Sequence, residues 1–222
     1  SAVKFGAVAA TGFTVNSDSQ ITAVAPAGSA GAVDITVTTP GGTSATSSAD
    51  QYVYMLDQTI SFGAAPLIRV GGNGVVSATA SSGLVVSFSS QTPSTCSVSG
   101  TTVSGLAPGT CTIAADQAGD STYSPAGQQT QSFEIGAAVA PTVSTTAATS
   151  ITGSGATLNA TVNANYSSAV VSFEYGTTTT YGSTANASPS PVSGGTSTPI
   201  FATISGLAPA TTYHFRVKAV NA

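Results

Sequence analysis

Residues 205–217, SGLAPATTYHFRV, decide the fold. Tyr213, Phe215 and Val217 alternate with His214, Arg216 and the following Lys218. That is the period-two pattern of a strand with one face in a core and the other in water. Gly206 and Pro209 stand just ahead of it, where a chain turns. The opening of the stretch also occurs about a hundred residues earlier, in SGLAPGTCTIAA (104–115). A repeated catalytic motif is rare in one chain, whereas a repeated way of building a fold is not.

Working outward, the same alternation recurs. Val33, Ile35 and Val37 alternate with Asp34, Thr36 and Thr38, ahead of a Pro-Gly-Gly turn. Leu84, Val86 and Phe88 alternate after Ser82-Gly83. Leu158, Ala160 and Val162 share one face, as do Val171, Phe173 and Tyr175. Only 5% of the 222 residues are charged, against roughly 25% in an average globular protein. Ser, Thr, Gly, Ala and Val fill the space, a mixture that suits strands and tight turns and not helices. The composition predicts an all-β chain.

Four basic residues and a formal net charge of −4 leave no patch to neutralise phosphates, so a nucleic-acid partner is not expected. A polybasic site for a membrane surface fails for the same reason. No apolar run reaches the roughly 18 residues of a membrane span, so direct membrane insertion is not expected either. The chain reads as a mature fragment or part of something longer.

Residues 3–54 carry an FG turn, the strand-like SQITAVAP, the hairpin GAVDITVTTPGG and a closing QYVY. They resemble the IPT/TIG immunoglobulin-like family, which normally has one or two further strands before this point. The next stretch runs from TISF through the Cys96–Cys111 region to QTQSFEI, and resembles bacterial immunoglobulin-like repeats of large surface proteins. In the last stretch Leu207, Pro209, Thr211 and Tyr213 match the Leu-x-Pro-x-Thr-x-Tyr pattern of fibronectin type III domains. That likeness implies a tyrosine corner built from Leu207, Pro209 and Tyr213, with the phenol bonding back to the turn. It also implies one more strand after residue 222. Three tandem immunoglobulin-like β-sandwich domains in an elongated array are expected, over residues 1–56, 57–137 and 138–222. GAAVAP (136–141) is a short linker, expected to be looser than the unbroken YVYMLDQTISF between the first two.

Cys96 and Cys111 are the only cysteines, each in a strand-like run, and the two strands can lie side by side. A disulfide and a pair of buried thiols are the two readings. The disulfide implies an oxidising, extracytoplasmic location. Closing so short a loop contributes roughly 3 kcal/mol.

Candidate chemistry is thin. His214, the only histidine, falls on the outward side of its strand. Asp116 and Asp120, in DQAGD, are the closest pair of acids and offer oxygen ligands for calcium, but they read more simply as a solvated turn. Lys4 and Lys218 are the lysines an isopeptide cross-link would need. Asn159, Asn165 and Asn186 begin glycosylation triplets of a kind that a Ser- and Thr-rich chain produces by chance. Tyr166 and Tyr181 fall off the core-facing pattern and are the available sugar platforms in a chain without Trp. No catalytic residue, metal or cofactor is expected.

The function this implies is a non-catalytic structural or adhesive module, a spacer or stalk on the bacterial surface. Its partners would be other protein domains of the same or a neighbouring chain, with surface glycans as a further class. Two alternatives stand. One is a subunit of an extracellular filament or sheath, with neighbours completing absent strands. The other is an accessory binding region of a secreted polysaccharide-active enzyme.

Overall fold

The computed structural model describes residues 1–221 and places among them 23 strands and no helix. The chain divides into two compact units, each assembled from separate stretches. The first comprises residues 1–60, 79–86 and 116–128; the second comprises 61–78, 87–115 and Gln129 onward.

In the first unit, strand Gly31–Thr39 is the hub. Ala2–Phe5 pairs along it antiparallel, with Val3 opposite Val37 and Phe5 opposite Ile35. Gln51–Tyr54 and Gly42–Thr43 pair with its two ends. The alternation seen in the sequence puts Val3 and Phe5 inside, and Phe5 meets the edge of Tyr52 at 5.1 Å. The Tyr54 hydroxyl donates to the Pro26 carbonyl at 2.9 Å, and burial pushes its pKa up. Hairpin Gly12–Ser17 with Gln20–Val24 stands as a separate two-stranded sheet.

The second unit has two cores. Around the first, strands Ser87–Ser90, Gly109–Asp116, Gln129–Gly136 and Ile68–Arg69 form one sheet. Asn73–Val75, Thr102–Gly105 and Cys96–Ser99 form the other. Ile68, Val76, Val103, Ile113 and Ile135 are buried between them. The two cysteine strands therefore do not lie side by side. Cys96–Ser99 pairs with Thr102–Gly105, because the short turn at Gly100 closes that hairpin first.

Around the second core, Thr142–Thr149, Gly155–Asn163 and Thr198–Ser205 form one sheet. Ser168–Gly176 forms the other, pairing with Ser183–Asn186, Val192–Ser193 and His214–Asn221. Leu158, Ala160 and Val162 point inward from the first; Val171, Phe173 and Val217 meet them from the second. Phe173 is fully buried, and removing such a side chain from water is worth about 1.5–3 kcal/mol.

The stretch 136–141 is hydrogen-bonded to its neighbours. The Val70 amide donates to the Gly136 carbonyl at 3.0 Å, and Arg69 Nη1 to the Ala137 carbonyl at 3.1 Å. Asn221 and Asn165 donate side-chain hydrogen bonds to Val139 and Ala140.

Candidate functional site

The repeated stretch occupies comparable positions both times. In each, the backbone amide of the leucine donates to a loop carbonyl: Leu106 to Thr95 and Leu207 to Ser154, both at 2.9 Å. The side chains then diverge. Leu207 packs against the core, whereas Leu106 is exposed. The first copy enters its strand at Gly109, and two residues later Cys111 is bonded to Cys96 of the opposite sheet. Both cysteines are fully buried, so the bond joins two sheets through their core. In the second copy the chain turns at Pro209 and Ala210, and the Tyr213 hydroxyl accepts a hydrogen bond from the Ala208 amide at 3.1 Å.

From Tyr213 the strand presents His214, Arg216 and Lys218 to solvent. Glu174 on the adjacent strand lies opposite Arg216. Its carboxylate is 2.6 Å from the guanidinium and 3.4 Å from Lys218 Nζ. The Arg216 hydrogen bond, reinforced by Lys218, holds the Glu174 carboxyl below the usual carboxylate range. Arg216 also lies 4.8 Å from the centre of the Tyr181 ring. This cluster shields charge on a sheet face and brings no second acid or base to the only histidine.

The other candidates are dispersed. The Asp120 carboxylate accepts from the amides of Thr122 and Tyr123, and Asp116 accepts from Gln128. Among the described residues no three His, Cys, Asp or Glu side chains come together in a way that would hold a metal ion. Lys4 is exposed on the outer side of its strand. The Asn159 amide is engaged by Ala147 and Thr149, the Asn165 amide by Ala140, and Asn186 is exposed. Among the described residues no helix is long and apolar enough to cross a membrane.

Two concave sites are largely apolar. One of about 420 Å³ in the second unit is bordered by Leu158, Tyr175, Ile204, Leu207, Tyr213 and Phe215, and the phenols of Tyr175 and Tyr213 are the ionisable groups of its lining. A groove of about 390 Å³ in the first unit runs past Val3, Phe5, Ile21, Ile35, Val37 and Tyr52. Both offer mainly apolar contact, with tyrosine phenols as their ionisable groups.

Two polar constellations escaped the sequence reading. The buried Gln58 side chain donates to Gln117 and to the Ser124 carbonyl, and accepts from Ser82. Tyr166 and Ser167 grip the stretch 69–72: the Arg69 amide donates to the Tyr166 carbonyl, and the Ser167 hydroxyl to the Val70 carbonyl. The signal for the second was the Asn165-Tyr166 pair, both of which adopt positive φ in a tight turn.

No protein-family model matches the chain, and no curated protein matches it significantly.

Proposed function

We propose that the chain is a non-catalytic spacer of the bacterial cell surface. It consists of three immunoglobulin-like sandwiches in a row, over residues 1–56, 57–137 and 138–222. The observation that carries this reading is the work done by the repeated stretch. At Cys111 it fastens two sheets together, and at Tyr213 it fastens a turn to its own strand. Leu207, Pro209 and Tyr213 act as a tyrosine corner. Both copies contribute rigidity, and neither contributes a reacting group. A disulfide linking the only two cysteines suits an oxidising exterior, and a Ser- and Thr-rich surface keeps the module hydrated with little charge.

Antibodies against the chain, applied to intact cells of its source, test the proposal. Labelling without permeabilisation is the expected result, with Cys96 and Cys111 linked in the protein recovered from those cells. A signal confined to permeabilised cells, with free thiols, overturns it.

A further inference from the structure

Charge is scarce here and unevenly divided. The first unit holds Lys4 against six acids, a formal −5; the second holds Arg69, Arg216 and Lys218 against Glu134 and Glu174, a formal +1. Arg216 and Lys218 share the outer face of the paired strands Ser168–Gly176 and His214–Asn221. Their side chains are 56% exposed, while that of Glu174 is 20% exposed. Glu174 is the more buried member of the cluster, and the two cations outnumber it, which leaves this cluster a formal +1. Further along the same face Val170 and Val220 sit opposite each other, 55% and 54% exposed. One face thus combines outward cations with an uncovered apolar pair.

The first unit offers the complement. Met55 and Leu56 are exposed. Leu56 bridges to Tyr123, the Asp57 carboxylate accepts from the Ser124 hydroxyl, and the amides of Thr122 and Tyr123 fix Asp120. Two exposed, positioned carboxylates therefore accompany two exposed apolar side chains.

We propose that these surfaces meet between copies of the chain. The face carrying Arg216, Lys218, Val170 and Val220 docks on Met55, Leu56, Asp57 and Asp120 of a second copy. Each surface repels its own kind, so the contact is head to tail, and such a contact propagates unless it closes into a ring. The inference rests on the structural reading above and names its partner. A chain that stays monomeric would remove the inference and leave the spacer reading standing.

Sedimentation of the whole chain tests it. Association should appear at low ionic strength and weaken roughly tenfold or more between about 20 mM and 500 mM salt. Arg216→Glu with Lys218→Glu should abolish it, as should Met55→Lys with Asp57→Lys. All four positions are exposed, and unchanged circular dichroism with a cooperative melt establishes that each variant folds, even where loss of the Glu174 ion pairs lowers the midpoint. An equimolar mixture of the two variants should associate again, because each reversed surface then meets an opposite one. Three results overturn the proposal: a chain monomeric at low salt up to ~200 μM, association indifferent to salt or to the reversals, and a mixture that stays monomeric. Indifference to charge would place the contact at the apolar groove beside Ile21 instead.

Discussion

At the residue scale, Cys96 and Cys111 show most plainly how a chain poor in charge stays folded. Their bond closes a loop of 15 residues between two sheets. Reduction, or replacement of both by Ala, should cost about 3 kcal/mol, read as a lower urea midpoint. An unchanged midpoint would mean that burial alone holds those sheets. Phe173→Ala should be comparable or worse, about 3–5 kcal/mol, because the ring fills a core with no solvent on any side. Tyr213→Phe removes one hydrogen bond at an exposed turn and should cost only roughly 0.5–1.5 kcal/mol. Glu174 adds a pH dependence. Its folded pKa lies below its unfolded value, so the stability it contributes is present above the ordinary carboxylate range and is lost as pH falls through the folded value. The melting temperature should therefore drop on acidification, and Glu174→Gln should flatten that drop. An acid limb identical in the variant would assign the effect to other carboxylates.

At the scale of elements, the inward sets Leu158, Ala160, Val162 and Val171, Phe173, Val217 were legible because strand periodicity depends on nothing beyond neighbouring residues. The stretch at Tyr213 was legible for the same reason. Pairing was less so. Which strand takes Cys96–Ser99 as partner depends on the turn at Gly100, and alternation alone is silent about that choice. The loop 164–167 was harder still, since its role depends on a partner about a hundred residues away in sequence. That loop makes the stiffness of residues 136–141 testable. Ser167→Ala leaves the half-buried Val70 carbonyl without this donor and should cost about 0.5–1.5 kcal/mol. Hydrogen exchange should quicken at the amides of residues 69–72 and along 136–141. Exchange no faster than in the parent chain would show that the loop does not brace that stretch.

At the scale of the whole molecule, what stands to be tested is the proposal of three separate sandwiches rather than one merged core. The all-β content fits a composition poor in Leu, Glu, Lys and Arg and rich in Ser, Thr, Val and Gly, and the described residues contain no helix. Of the candidate site, the outward row of His214, Arg216 and Lys218 was legible from the alternation. What the sequence left open was which surfaces carry the charge, because the depth of Glu174 below Arg216 and Lys218 is set by packing. Small-angle X-ray scattering, on dilute protein in high salt, tests the central claim most directly. A single compact body of 222 residues has a radius of gyration of about 17 Å. The account predicts a value larger by roughly half or more, with a distance distribution tailing to long separations; a value near the compact limit, with a symmetric distribution, would contradict it.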